Sequence, residues 1–383
     1  MSYKVLVEQL DEINSIVLTL FVLSIIIQLA YYLLVYLRVL LRKKGQDTLQ
    51  MNEIQPVSVI ICARNEAENL SQNLTSILEQ DYPEFEVVVV NICSEDNTES
   101  LLSDLKQKYP HLRSTIIKKD GSFLNCKKFA SKVGVRAAQY EWLLFTDADC
   151  KPENSRWIAT MNRYFVENKD IVLGYGGYMA QKGYMNKLIR YDSCFTALRY
   201  FGFAILGNAY MGVERNLAYR KSLFFEHKGF AENAHIISGD NDLFVNKAAK
   251  KRNVAVALIN NAYTRSIQNN TFKEWFWQKS KQMTSSKYYK NSQVFLLTLE
   301  LVSQAIMWLS FGVLIIICPF WQYVLLTFML RMIIFITIIG IAVKKFNEPD
   351  ILKHAVFFDI FMPFLNFYIF LLNRISSKHL KWK

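Results

Sequence analysis

The chain has 383 residues, of which 52% are hydrophobic and 20% charged, and its formal net charge at neutral pH is +12. This length exceeds one ordinary domain, and the charged fraction excludes a pure transporter embedded in lipid. The composition therefore indicates a protein with a soluble part and membrane-spanning segments.

The first predicted element is a membrane helix near the start of the chain. Residues 16–37 contain no charged side chain, and a helix of that length crosses a hydrocarbon core about 30 Å thick. The run is too long for a signal peptide, and no small-residue cleavage site follows it. We therefore expect an uncleaved anchor over residues 1–48, with its helix at about 14–41. Arg42, Lys43 and Lys44 follow, and because basic flanks usually stay in the cytoplasm, the next domain is expected there.

Residues 49–292 are predicted to form a soluble α/β domain, since apolar runs alternate there with polar helical stretches. Its opening, VSVIICARNEAENLSQNLTSILEQDYP, predicts a β-branched strand and then a helix with one apolar face. Asn65 and Glu68 have the spacing of a capping box at the start of this helix. Successive β-α units favour a mainly parallel central sheet, in which ligands bind beyond the carboxyl ends of the strands. The predicted strands are residues 57–62, 85–90 and 142–145.

Two aspartates, Asp147 and Asp149, follow the third predicted strand with only Ala148 between them. A capped turn would account for either residue alone, whereas a shared ligand accounts for both. Two carboxylates would repel a diphosphate, because one pair of unit charges 4 Å apart costs about 4 kcal/mol at an effective dielectric near 20. A divalent cation reverses that sign, and oxygen donors without His or Cys favour Mg2+ or Mn2+.

Residues 293–383 are predicted to form a second membrane region. Two apolar segments, at about 294–318 and 321–343, are separated by a proline and predict a transmembrane hairpin. A third segment, at about 355–372, carries an aspartate and a proline and is flanked by basic residues. It spans the membrane, re-enters it or lies in the interface, and the sequence leaves these alternatives open.

The six cysteines form no Cys-x-x-Cys pair, and no His stands at the spacing of a zinc ligand. This pattern indicates free thiols in a reducing compartment. Much of the basic excess flanks apolar segments, where it meets anionic lipid head groups. We therefore expect a membrane partner and no nucleic-acid partner.

Five stretches, in order along the chain, resemble the motifs of family 2 glycosyltransferases, which have the GT-A fold. VSVIICARNE resembles the opening strand and nucleotide loop of that family, CKKFA its Gly-Lys-x-x-Ala segment, and TDADC its Asp-x-Asp site. GVERNLAYRK resembles the acceptor-side stretch, and SGDNDLF resembles the late Glu-Asp-x-Asp-Leu motif. The resemblance covers residues 57–289, and the flanking apolar segments resemble those of membrane-anchored bacterial members.

The resemblance implies a metal-dependent, inverting transfer of a sugar from a nucleotide-diphosphate donor. It implies that Asp240 is the catalytic base, which removes a proton from the attacking hydroxyl; a helix cap is the alternative role for this residue. It also implies that Asp147 and Asp149 hold Mg2+ or Mn2+. The positions that it assigns to substrate binding are Ala63, Arg64, Glu66, Asn91, Lys127, Asp147, Asp242, Gln278 and Lys281.

The chain departs from the family in two places. Asn91 and Ile92 stand where an acidic pair contacts the nucleoside, so either the donor is held differently or its nucleotide is one other than UDP. The Gln-x-x-Arg-Trp motif of processive synthases corresponds to Gln278, Lys281 and Gln282. Lysine offers a point charge in place of a guanidinium fork, and the missing tryptophan argues against polymer extrusion.

Three further signals keep two interpretations each. Arg215 and Arg220 either bind a phosphate or the acceptor, or pair with carboxylates. His235 either contacts the acceptor or lies at the surface. GYGGY, residues 174–178, favours a tight turn over a phosphate-binding loop because no suitable helix pattern follows it.

The sequence thus predicts a multi-pass enzyme of the bacterial inner membrane with its catalytic domain in the cytoplasm. A UDP-sugar is the favoured donor, and a lipid-linked or envelope glycan is the expected acceptor. One alternative is a non-catalytic family member that binds a nucleotide sugar or a partner glycosyltransferase. The other is a phosphatase of the haloacid-dehalogenase type, in which Asp147 would attack phosphate, although such proteins carry this motif on their opening strand.

Overall fold

A computed structural model describes residues 3–42, 54–117, 126–232, 236, 239–267 and 271–375. The chain divides into two compact units: an α/β unit within Arg42–Tyr289, and a helical unit made of Met1–Leu41 and Lys290–Ser376. The predicted domain boundary at residue 48, like Lys43, Lys44 and His235, lies outside the described residues.

The α/β unit contains the ten described strands, which are β1 Val57–Ala63, β2 Phe85–Ile92, β3 Leu112–Ile117, β4 Trp142–Asp147, β5 Cys150–Pro152, β6 Ile171–Gly174, β7 Gly176–Tyr178, β8 Leu217–Arg220, β9 Val254–Ala257 and β10 Thr264–Ser266. The α-helices of the described chain are α1 Tyr3–Ala30, α2 Leu37–Leu41, α3 Ala67–Leu78, α4 Thr98–Lys108, α5 Cys126–Ala137, α6 Trp157–Asn162, α7 Tyr184–Ile205, α8 Lys221–Glu226, α9 Asp240–Ala248, α10 Phe272–Ser285, α11 Asn291–Ile317, α12 Trp321–Lys345 and α13 Ala355–Ile375.

The central sheet has seven strands in the order β3-β2-β1-β4-β8-β6-β9. Its first four strands run parallel, and β8 lies antiparallel to both β4 and β6. The prediction of a mainly parallel sheet is therefore confirmed, and so are the three predicted strands. The chain runs outward from β1 through β2 to β3 and then returns to β4 on the other side of β1. Open α/β sheets bind ligands where the strand order reverses in this way.

Burial explains why these strands read as continuous apolar runs. β1, β2 and β4 are covered on both faces, so nearly every side chain in them is buried. On one face, Leu70, Leu74 and Ile77 of α3 pack against the sheet. Transfer of such side chains out of water contributes about 1.5–3 kcal/mol each, which makes the sheet a rigid support for the loops at its edge.

The predicted turn at GYGGY is wrong. Residues 171–174 and 176–178 form β6 of the central sheet and β7 of a second, three-stranded sheet with the order β5-β10-β7. The glycines serve close approach instead, since a Cβ added at Gly176 would lie 2.7 Å from the Cβ of Arg215. Removing the side chain there allows β7 to lie against the segment that carries Arg215.

Among its described residues, the helical unit has four helices that are long and apolar enough to cross a membrane: Glu12–Leu41, Asn291–Ile317, Trp321–Lys345 and Pro349–Asn373. The predicted anchor and hairpin are confirmed as long apolar helices. A short π-helical stretch, Tyr31–Tyr36, interrupts the first of them. The last segment continues as a helix through Pro363, and its length is sufficient for it to span.

One buried charged group joins three of these helices. Arg331 of α12 is fully buried and donates to both carboxylate oxygens of Asp359 on α13, at 2.6 and 3.0 Å. It also donates to Gln28 Oε1 and to the hydroxyl of Tyr32. The aspartate that stood out in the third apolar segment is thus neutralised within the unit.

Candidate active site

A cleft of about 400 Å3 opens at the carboxyl edge of the central sheet. Asp147, Asp149 and Asp240 all line it, although more than 90 residues separate the first two from the third in the chain. These three carboxylates are the groups that the sequence assigns to metal binding and proton removal, so the fold brings them to one place.

The Asp-x-Asp segment lies at a turn that follows β4, and both of its carboxylates line the cleft. β4 ends at Asp147, and residues 148 and 149 form a turn that leads into β5. The buried Asn73 of α3 donates to the Ala148 carbonyl at 3.3 Å, and the amide of Ile267 donates to the Asp149 carbonyl at 3.2 Å. Residues two apart in a strand share a face, and these two hydrogen bonds hold the turn so that both carboxylates stay at the cleft.

The geometry fits a hard divalent cation. Ligand atoms of Asp147, Asp149 and Cys150 lie within 4.8 Å of one another, and Ser266 donates to Asp149 Oδ2 at 2.5 Å. Burial raises the pKa of the Cys150 thiol well above its ordinary value, and the nearby carboxylates add to this effect. A protonated thiol is a poor ligand, so the two carboxylates are the groups that could hold an ion of the Mg2+ or Mn2+ type.

Lys127 bridges two acids beside this site. Its ammonium lies 3.1 Å from Asp147 Oδ1 and 2.9 Å from Glu214 Oε2. Burial alone would lower the pKa of Lys127, but Asp147 and Glu214 hold that pKa well above its ordinary value. Lys127 is therefore a charged group of the cleft, held at the carboxylate that precedes the turn.

Asp240 begins α9 but does not cap it. The preceding residue, Gly239, has a left-handed backbone with φ 76, and no side chain caps the helix start. Asp240 is buried, with Oδ1 3.4 Å from the ammonium of Lys128. Burial raises the pKa of Asp240, and the Lys128 charge opposes that rise. The cap interpretation of Asp240 is wrong, and a carboxylate of raised pKa that faces a cleft is suited to accept a proton.

Asp242, Gln278 and Lys281 line the same cleft. Burial, reinforced by the charge of Asp240, raises the pKa of Asp242 to about 7. Gln278 of α10 donates to the hydroxyl of Tyr178 at 3.0 Å, and burial lowers the pKa of Lys281. The late helix thus lies at the cleft, although it lacks the tryptophan of the processive synthases.

The remaining predicted binding residues lie at the ends of β1 and β2 and do not line this cleft: Ala63, Arg64, Glu66 and Asn91. Burial raises the pKa of Glu66, and the charges of Asp149 and Asp147 contribute to the shift, so its carboxyl lies within reach of their field. Asn91 is buried, and its Oδ1 has no hydrogen-bond partner within the described part of the chain. The nucleoside contacts of these four residues stay predictions.

The predicted capping box is wrong. Asn65 has a left-handed backbone with φ 55 and accepts the amide proton of Glu95 at 2.8 Å. The first amide of α3, that of Ala67, instead donates to Asp96 Oδ2 at 3.0 Å. The cap therefore comes from the loop after β2, about 30 residues further along the chain, and spacing within one segment does not detect such a partner.

Sequence patterns missed Lys128, Glu214 and Ser266. Lys128 follows the motif lysine directly, and a pair of adjacent lysines at the start of a helix is the only local signal for it. Ser266 comes from β10, which enters the cleft by pairing with β5, and no local pattern marks it. Arg215, whose role was open, lines the cleft with its guanidinium 4.0 Å from the centre of the Tyr178 ring.

Comparison with known proteins gives a consistent assignment. The family model described as Glycosyl transferase family 2 matches residues 58–225. Poly-beta-1,6-N-acetyl-D-glucosamine synthase of Staphylococcus epidermidis is 29% identical over 97 residues, which are 25% of this chain and 22% of that protein. Glycosyltransferase AglE of Haloferax volcanii is 33% identical over 105 residues, 27% of this chain and 33% of that protein. Each match thus spans a third or less of the relative.

The fold has a solved counterpart. Mannosyltransferase PcManGT from Pyrobaculum calidifontis, in complex with GDP-Man and Mn2+, superposes with a TM-score of 0.56 and 15% sequence identity. The superposition covers 91% of this chain and 99% of that one. At this identity the likeness establishes the fold, which is GT-A-like, with a mostly parallel sheet.

Proposed function

We propose that this chain, which matches the Glycosyl transferase family 2 model over residues 58–225, moves a sugar from a nucleotide-diphosphate donor to an acceptor hydroxyl, with inversion at the anomeric carbon. One observation carries the proposal: Asp147, Asp149 and Asp240 line a single cleft. A pair of carboxylates for a cation and a separate carboxylate for a proton are the groups that such a transfer requires.

Asp147 and Asp149 are the residues that would hold Mg2+ or Mn2+, with Ser266 fixing the orientation of Asp149. When bound, the ion stabilises the negative charge that develops on the departing diphosphate. Lys127, at 3.1 Å from Asp147, supplies a further positive charge at the same edge of the cleft. Together these groups make the cleft attractive to a diphosphate despite its carboxylates.

Asp240 is proposed as the base. Its carboxylate removes the proton of the acceptor hydroxyl as the oxygen attacks the sugar carbon from the face opposite the diphosphate, which inverts that carbon. Lys128 holds Asp240 by an ion pair and limits the rise in its pKa, so the carboxylate stays available in its ionised form. Asp242, whose pKa is raised to about 7, is placed beside it to contact the acceptor.

For the donor, we favour a UDP-sugar. One relative is a synthase of a poly-N-acetylglucosamine, and Asn91, at the carboxyl end of β2, has a buried oxygen open to a hydrogen bond. A purine nucleotide is the competing donor, since Asn91 and Ile92 replace the acidic pair of the family pattern. Thermal-shift screening of UDP-sugars against GDP-sugars in the presence of Mn2+ separates the two.

For the acceptor, we favour a lipid-linked or cell-envelope glycan at the cytoplasmic face of a bacterial inner membrane. Four helices of sufficient length and apolarity support a multi-pass protein. Basic residues follow the first of them at Arg42 and end the third at Lys344 and Lys345. If Asn291–Ile317 and Trp321–Lys345 both span, these basic ends lie on one side, which the positive-inside rule assigns to the cytoplasm.

The decisive experiment uses the full chain in nanodiscs with Mn2+ and radiolabelled nucleotide sugars, and follows transfer to membrane lipid extract together with donor hydrolysis. Asp240→Asn is expected to reduce turnover about 10^2- to 10^4-fold while nucleotide binding persists. Asp81→Asn, at a largely exposed carboxylate, serves as the control and is expected to keep wild-type turnover.

The outcomes separate the alternatives. Nucleotide binding without any turnover by the wild type would favour the non-catalytic family member. Label trapped on Asp147 from a phosphate substrate would favour the phosphatase, which has little support because Asp147 ends the fourth strand of the chain and not the first. Full activity of Asp240→Asn would remove the proposed base.

A further inference from the structure

Arg215 differs from the other basic residues around the cleft. It lies in the short helical turn Glu214–Asn216 that leads into β8, and only 8% of the residue is exposed. Its guanidinium lies over the ring of Tyr178, with 4.0 Å between the guanidinium carbon and the ring centre. A cation this deeply buried costs free energy unless an anion or a ring compensates it.

Several other arginines of the described α/β unit form ion pairs with carboxylates. Arg113 pairs with Glu86 at 3.0 Å, Arg220 with Asp170 at 3.5 Å, and Arg265 with Glu153. Within the described residues, Arg215 has no carboxylate oxygen within 4 Å. The ring of Tyr178 compensates part of the desolvation, and Arg215 is one of the residues that line the cleft.

The surroundings hold the guanidinium in place. The Arg215 carbonyl accepts from the hydroxyls of Thr146 at 3.1 Å and Thr264 at 2.8 Å, so the backbone position does not depend on the side chain. Gln278 donates to the Tyr178 hydroxyl and thereby fixes the ring. The result is a planar, preorganised group of five N–H donors at a cleft wall.

The position of Arg215 indicates the anion. It lines the same cleft as Asp147 and Asp149. An anion that is attracted to a cation at the two aspartates therefore comes within reach of Arg215. Planar guanidinium groups bind phosphate oxygens in pairs, which a lysine such as Lys281 cannot do.

We propose that Arg215 binds the diphosphate of the donor, with Tyr178 as the platform that orients its guanidinium. This inference rests on the proposed function, since it takes a nucleotide diphosphate as the ligand. Arg215, in the segment before β8, donates two hydrogen bonds to the phosphate oxygens, and Lys281 of α10 contributes a single positive charge.

The test measures binding of UDP and GDP, with Mn2+, to the full chain in nanodiscs by calorimetry. Arg215→Gln is expected to lower the affinity for whichever nucleotide the wild type binds more tightly, by about 10- to 100-fold. This is the effect expected from the loss of one or two charge-assisted hydrogen bonds. Arg215→Lys keeps the charge but loses the fork, and is expected to bind with intermediate affinity. Arg220→Gln removes a guanidinium that does not line the cleft and is expected to bind as the wild type does.

Two further measurements make the result unambiguous. Mn2+ binding without nucleotide, followed by electron paramagnetic resonance, is expected to be equal in Arg215→Gln and the wild type. A loss of Mn2+ binding in Arg215→Gln would mean that the side chain supports the metal site, and would overturn the inference. Equal nucleotide affinity in Arg215→Gln and the wild type would overturn it as well. If Arg215→Gln then raised only the KM for the acceptor, Arg215 would be an acceptor-binding residue instead.

Failure of the inference and failure of the proposed function are distinguishable. If the wild type binds neither UDP nor GDP in the presence of Mn2+, the proposed function fails, and the role of Arg215 fails with it. If the wild type binds one of them and Arg215→Gln binds it equally well, only the role of Arg215 fails.

Discussion

The cleft of the α/β unit and the charged group of the helical unit are both buried, but they are completed in different ways. Arg331 meets both oxygens of Asp359 and also bonds Gln28 and Tyr32. In the cleft, Asp240 Oδ1 faces the ammonium of Lys128 at 3.4 Å without a hydrogen bond, and the guanidinium of Arg215 lies over the ring of Tyr178. The first arrangement is saturated within the protein, whereas the second leaves capacity for a ligand.

This difference separates a structural role from a functional one on physical grounds. In a saturated buried ion pair, the donors and acceptors are already paired within the folded protein, so none is available to bind a substrate. Carboxylates that crowd one another raise the free energy of the empty cleft, and a divalent cation with a diphosphate relieves that cost. Substitutions in the two regions should therefore affect different measurable properties.

The largest effect on stability is expected at the saturated pair. Arg331→Ala leaves the Asp359 carboxylate buried without its partner, and we expect a loss of about 3–5 kcal/mol in the free energy of unfolding. Unfolding by SDS in mixed micelles measures it. The double variant Arg331→Met with Asp359→Leu is expected to recover most of the loss. If the single and double variants were equally unstable, the pair would not be the reason.

In the cleft, the corresponding substitution should reduce ligand binding and leave stability intact. Asp149→Asn removes one of the two carboxylates proposed to bind the ion. We expect Mn2+ affinity to fall by more than about tenfold, because tenfold is the smallest loss typical of changes to residues that only support metal ligands. Electron paramagnetic resonance of free Mn2+ measures this, with the exposed Asp104→Asn as control. A melting temperature that fell as far as in Arg331→Ala would contradict the contrast between the two regions.

A smaller effect is expected at the partner of the base. Asp240 must be ionised to accept a proton, so turnover falls as pH drops through its pKa, which burial already raises. Lys128→Met removes the charge that opposes this rise, and the acidic limb of the kcat/KM profile is expected to move to higher pH. The control Lys132→Met, at an exposed position of the same helix, is expected to leave the acidic limb unchanged. An unchanged acidic limb in Lys128→Met would contradict the assignment of Asp240 as the base.

The smallest effect is expected at Asp242. Its pKa is raised to about 7 in the folded protein from an ordinary value of 3.8, so the folded state binds the proton more tightly than the unfolded state. The stability that this contributes is complete below the unfolded value and is lost as pH rises through about 7. Asp242→Asn is therefore expected to raise the metal-free melting temperature by about 2–4 °C at pH 8, or roughly 1 kcal/mol, and by less at pH 5. A gain that was larger at pH 5 would contradict the raised pKa.

Much of the site followed from local sequence. Apolar runs that end in polar residues predicted β1, β2 and β4, and a parallel sheet places their carboxyl ends together, so Asp147 and Asp149 were expected at a ligand site. Asp240 came from motif resemblance and lines the same cleft. The errors, the capping box at Asn65 and the turn at GYGGY, arose where the deciding partner is distant in the chain.

The sequence by itself determined the two kinds of region, the strands and long apolar helices, and the acidic residues of the cleft, because periodicity and composition act over neighbouring positions. Only the tertiary structure decided that both aspartates line one cleft with Asp240, that Lys128 holds Asp240, and that the guanidinium of Arg215 lies over the ring of Tyr178. Those outcomes depend on contacts between segments far apart in the chain, such as β5 with β10 and α5 with α9. The charges and hydrogen bonds that act on a buried group come from all the segments that surround it, so the sequence of one segment does not determine them.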